Sequence, residues 1–185
     1  MNRLSRQLTL IGFAFGALLA SACNDGITAP APASELAQIS RDPAGRPVSF
    51  TRCSPQPSDS ASARIGPSGG ILKAGRHMLR VPAGALKRSV LITMTVPSDS
   101  LNYVVFGPEG LTFDLSSQPT LLMSYRNCFV TEPAQSSLAI VYANDSLTAV
   151  LDTTEGVPAD TLNHTVGARL KHFSKYVLSR YAVAF

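Results

Sequence analysis

The chain has no tryptophan, and only 15% of its 185 residues are charged. The missing tryptophan removes the broadest stacking surface available to a sugar-binding module, and five tyrosines are a thin replacement. Nucleic acid has no electrostatic footprint in the linear sequence, because no Lys/Arg run occurs and aromatic residues rarely interleave with basic ones. The formal charge of +4 falls to +2, with 14 basic against 12 acidic residues, once residues 1–22 are set aside. Long apolar runs are absent too. The stretch from Leu8 to Ala20 holds about 13 residues, short of the ~20 that cross a bilayer.

Signatures of catalysis and metal binding are equally scarce. No C-x-x-C occurs. His77, His164 and His172 are too dispersed for a zinc pattern, and Asp145, Asp152, Glu155 and Asp160 lack calcium-loop spacing. The glycine-rich stretch "IGPSGGILKAGRHMLRVPAGAL", residues 65–86, places Gly70 and Gly75 at phosphate-loop spacing. Arg76 and His77 then stand where Lys and Ser/Thr are needed, and the following residues alternate toward Pro82 instead of opening a helix. No cofactor, metal or nucleic acid is expected.

What is present begins with an address. "MNRLSRQLTLIGFAFGALLASAC" runs from Arg3 and Arg6 through an apolar core to small residues, the order of an export signal. Its end, "LLASAC", is similar to the bacterial lipoprotein signal, in which the cysteine is diacylated and becomes the first residue. Here that residue is Cys23, with Ala20 where the pattern usually has Leu. Ordinary cleavage after Ala20-Ser21-Ala22 is the competing reading. In lipoproteins resembling this one, Asn24 in place of aspartate favours the outer membrane. Residues 23–47, rich in Ala, Pro, Ser and Gly, bury too little to repay the entropy of ordering and read as a flexible tether. An odd cysteine count in an exported protein asks for an explanation. Acylation of Cys23 supplies one, leaving Cys53 and Cys128 to pair as a disulfide in an oxidising compartment, with two buried free thiols as the alternative.

Residues 48–185 read as one all-β domain, a sandwich. "RHMLRVP" sets Met78 and Arg80 opposite His77, Leu79 and Val81. "SVLITMTVP" alternates Val90, Ile92, Met94 and Val96 against Leu91, Thr93 and Thr95. Similar strands are expected at "LNYVVF", "LTFDL", "PTLLMSY" (Leu121, Met123 and Tyr125 on one face), "SSLAIVYAN" (Leu138, Ile140 and Tyr142 together) and "DSLTAVLDT", and at least two more after His164. The glycines mark corners between them.

"GPSGGILKAGRHMLRVPAGALKRSVLITMTV" followed by "VVFGPEGLTFDLSSQPTLLMSY" resembles the ZU-five domain, named for zonula-occludens proteins and netrin receptors. The likeness covers residues 64–128 and lies in the order of turns: Gly-Gly, "VPAGAL", then "GPEG" with an aromatic strand. It implies an immunoglobulin-like β-sandwich used for protein contact or as a structural module, with no general enzyme activity. Animal proteins that pair this domain with a following β module can cut themselves at a Phe–Ser bond, and this chain contains "KHFSKY". There the Ser174 hydroxyl would attack the Phe173 carbonyl with His172 as proton acceptor. The plain alternative is a strand with Phe173 inward and the other two in water. The expectation is a lipid-anchored envelope protein, membrane-bound through Cys23 and non-catalytic, with an unidentified envelope protein as partner. Self-processing at Phe173-Ser174 and a carbohydrate-binding module are the alternatives.

Overall fold

The computed structural model describes residues 39–130 and 137–182; Cys23, Asn24 and residues 23–38 of the expected tether lie outside them. In chain order the strands are β1 Ile39–Arg41, β2 Pro47–Phe50, β3 Asp59–Ile65, β4 Gly70–Ala74, β5 His77–Val81, β6 Val90–Val96 and β7 Tyr103–Gly107. After a 3-10 turn at Leu115–Ser117 come β8 Thr120–Ser124, β9 Leu138–Ala143, β10 Val150–Thr153, β11 Glu155–Asp160, β12 Thr165–Arg169 and β13 Lys175–Tyr181. They form two antiparallel sheets, an all-β sandwich. One sheet runs β11-β12-β8-β5-β4, and the other carries the remaining eight strands.

Alternation explains the layers. On β6, Ile92 and Met94 are fully buried while Leu91 is half exposed, because successive side chains leave opposite faces of a pleated strand. His77, Leu79 and Val81 of β5, with Leu121, Met123 and Tyr125 on and just after β8, meet that face from the second sheet. Each large aliphatic so buried stabilises the fold by about 1.5–3 kcal/mol relative to exposure.

Two strands depart from alternation. On β13, Tyr176, Val177, Leu178 and Ser179 are all buried, and on β9 both Ile140 and Val141 are. β13 lies centrally, pairing with β9 along one side and with β7 and β2 end to end along the other. Tyr176, Leu178 and Ile140 serve the main core. Val177 and Val141 join Val48, Phe50, Ala143 and Val150 in a second core on the other face. The run β1-β2-β13-β9-β10 curls around that second core, and its ends meet where the Val150 N–H donates to Ser40 Oγ at 3.4 Å.

Two expectations need correction. Residues 39–47, assigned to the tether, belong to the eight-stranded sheet: β1 pairs with β2 at Ile39–Ser49, Ser40–Val48 and Arg41–Pro47. The hairpin turn is held by the buried carboxylate of Asp42, which accepts the Arg46 backbone N–H at 2.8 Å and its Nε–H at 2.7 Å. Burial pushes the Asp42 carboxyl up, but these Arg46 hydrogen bonds and charge outweigh it and hold the group below its ordinary value. The Arg46 guanidinium also lies 4.6 Å above the Tyr181 ring, tying the turn to β13. The second correction is "LTFDL". It forms no strand, because only Thr112 bridges, to His172, before the 3-10 turn begins.

Candidate functional site

Cys53 follows β2 and Cys128 follows β8, and the two are bonded, S–S 2.02 Å, so the bridge staples one sheet to the other. The chain is paired on both flanks of the bridge. The Cys53 N–H donates to Ser100 O and the Ser54 N–H to Asn127 O, each at 2.8 Å. Asn102 Nδ2 donates to Ser124 O at 2.8 Å, so a side chain from before β7 pins the end of β8.

Beside the bridge lies a cleft of about 360 Å³ whose walls include Ser54, Asp59, Arg76, Asp99, Tyr103 and Asn127. Its polar groups are largely engaged in shaping it. Asp59 accepts the N–H groups of Gly75 (2.6 Å) and Ser60 (2.8 Å), and Asp99 accepts that of Leu101 at 3.1 Å. Asn127 Nδ2 donates to Ser54 O at 2.6 Å. On the cleft's inner wall His77 is 7% exposed, and its Nδ1 accepts the Ser124 N–H at 3.1 Å, extending the β5–β8 ladder by one rung. Burial, with the adjacent Arg76 charge, pushes its pKa down to about 4, so it stands neutral at neutral pH. A histidine spent as a buried acceptor is a structural member of the sheet, not a free base.

The three residues of the self-cleavage reading, His172, Phe173 and Ser174, lie between β12 and β13. Phe173 is fully buried, stacked on Phe106 at 4.9 Å and met edge-on by Phe113 at 4.9 Å. Its N–H donates to Leu111 O (2.8 Å) and its carbonyl accepts the Gly110 N–H (2.9 Å), while Ser174 O accepts the Phe106 N–H. The bond between them is therefore enclosed in ordinary strand-like pairing with the "GPEG" turn. His172 sets its ring edge-on to Tyr142 at 4.8 Å, and no hydrogen bond joins it to Ser174 among the described residues. The plain alternative is corrected as well: Phe173 does turn inward, but Ser174 is only 5% exposed and His172 is half-buried.

The other histidine, His164, lies edge-on to Tyr125 at 5.5 Å. Among the described residues no three His, Cys, Asp or Glu side chains gather in a metal-holding group. No family model and no curated protein matches the chain.

Proposed function

We propose that the chain is an exported protein, acylated at Cys23 and held at the cell envelope, whose stapled sandwich is a non-catalytic module for protein contact or structure. The observation that carries this reading is the Cys53–Cys128 bridge. Two of the three cysteines are spent on each other in a bond suited to an oxidising compartment, and the third stands at the end of an export signal. Two acyl chains hold a protein to a bilayer where one is marginal. The turn order resembling the ZU-five domain supports an interaction role, as does the engagement of the cleft's polar groups in loop architecture.

The test is metabolic labelling of the full chain in a bacterium with an alkyne fatty acid, followed by intact mass. The expected product starts at Cys23, carries the label and loses it in the Cys23→Ser variant. An unlabelled chain starting at Cys23 would replace anchoring by plain secretion. In-cell crosslinking from the sandwich surface then reads the partner: a discrete envelope-protein adduct is expected, and its absence would remove the interaction role.

A further inference from the structure

Basic residues that look scattered along the chain are gathered by the fold. From residue 60 to residue 96 there are six Lys/Arg and no Asp or Glu. That segment builds β3, β4, β5 and β6, which is one end of both sheets. A backbone hydrogen bond joins the β3–β4 turn to the β5–β6 connection in a single corner. Gly66 bridges Gly69 where β3 passes to β4, and the Gly84 N–H of the β5–β6 connection donates to Pro67 O at 2.8 Å. Leu86 of the same connection is buried in the core, which fixes the two residues after it at the surface.

The corner therefore carries Arg64 near the end of β3, Arg80 near the end of β5, and Lys87 and Arg88 in the connection, all four exposed. None of them belongs to an ion pair among the described residues; the pairs found involve Arg46, Arg169, Lys171 and Lys175. Glu109, two residues beyond Gly107, which pairs with Thr93, is the acid nearest in register. Aliphatic side chains stand directly across from two of the cations: Leu91, 49% exposed, opposite Arg64, and Ile71, 52% exposed, opposite Arg80.

We propose that this corner docks on a bilayer carrying anionic phosphate headgroups, with the four cations on the headgroups and Leu91 and Ile71 entering the interface. Cation and exposed aliphatic side by side suit a surface charged outside and apolar beneath. Single-stranded nucleic acid is disfavoured because residues 59–96 contain no Phe, Tyr or Trp on which a base could stack. The proposal takes the closeness of a membrane from the Cys23 reading. About 15 residues separate Cys23 from Ile39, and they reach up to ~50 Å when extended, enough for this corner to face the bilayer.

The test uses the full chain carrying Cys23→Ser, so that acylation, read separately by mass, has no part in the result. It is mixed with vesicles of equal phosphatidylglycerol and phosphatidylcholine, and with vesicles of phosphatidylcholine alone. A cation held near an anionic surface is worth about fivefold in partitioning, so R64Q/R80Q/K87Q/R88Q should weaken binding to the mixed vesicles by a hundredfold or more. Removing the same charge elsewhere, by R126Q/R169Q/K171Q/K175Q, should weaken it far less. Because Arg3 and Arg6 also attract anionic lipid, an environment-sensitive dye on L91C, with L162C as control, reads the corner directly. A blue shift at position 91 only, and only with the anionic vesicles, is expected. No shift at 91 overturns the proposal, and so do equal losses in the two fourfold variants. A dye response at 91 to a duplex DNA oligonucleotide but not to vesicles also overturns it, and assigns the corner to nucleic acid.

Discussion

His77 illustrates what a single residue contributes. Its place on the face shared by Leu79 and Val81 is legible from alternation, but its work as a hydrogen-bond acceptor is not, since nothing in the local sequence announces the Ser124 N–H that meets it. Its pKa is about 4 in the fold against 6.5 when unperturbed. A base whose folded pKa is depressed gives full stability above the unfolded value, and the loss accumulates as pH falls from about 6.5 to 4. Over that span the unfolded chain takes up a proton that the native chain refuses. The loss amounts to about 3 kcal/mol from this residue. Asp42 and Asp160, whose carboxyls are held below their ordinary values, act in a lower window, below pH 3.8. His77→Gln keeps an acceptor for Ser124 without the titration. Urea midpoints measured from pH 7 to 4.5 should fall steeply for the parent and stay nearly flat for the variant; parallel curves would show that His77 does not govern this range. Ser174 is the converse, a polar residue whose burial no pattern marked. With its neighbour Phe173 clamped between two rings, the purified chain should give one intact mass and no fragment beginning at Ser174.

Among the elements, those with one solvent face are the legible ones. β5, β6 and β8 read correctly because each hides one side and wets the other, which imprints a period of two. β9 and β13 escape that rule, since a strand clothed on both faces has a continuous apolar run and the side-by-side placement of two cores is a long-range fact. β1 escapes for the opposite reason. Its three residues, Ile39, Ser40 and Arg41, gain order from an edge partner and from the Asp42–Arg46 turn. The corner glycines were legible as corners, but not as unequal ones. Gly69 has φ of 75°, and a Cβ there would lie 2.4 Å from the Val81 carbonyl oxygen and 2.7 Å from the Pro82 carbonyl carbon. Gly84 has φ of 83° with open space around it. Gly84→Ala should thus lose only the left-handed penalty of about 1–2 kcal/mol. Gly69→Ala must also push backbone apart and should lose clearly more. Equal unfolding midpoints for the two variants would mean that the β3–β4 corner relaxes freely.

At the scale of the molecule, an all-β sandwich was legible from strand rhythm, and the staple from cysteine arithmetic. Removing the staple by Cys53→Ser with Cys128→Ser releases a separation of 75 residues and should lower stability by about 4 kcal/mol, read as the difference in denaturant midpoint from the oxidised parent. Where the domain begins was not legible, and the error has a physical consequence. A chain begun at residue 48 keeps most of β2 but loses β1, the Asp42–Arg46 turn and the guanidinium over Tyr181. Ser40 leaves with β1, so Val150 loses the oxygen its N–H meets and the curled run no longer closes over Val48, Val141 and Val177. The main core between the sheets keeps all of its buried members, because none lies before residue 48. The fragment 48–185 should accordingly retain β-rich circular dichroism while binding a hydrophobic-surface dye and unfolding at lower denaturant than a fragment begun at residue 36. If the two fragments unfold together and neither binds dye, β1 is an ornament on the sheet, and the second core is sealed by β2, β9, β10 and β13 alone.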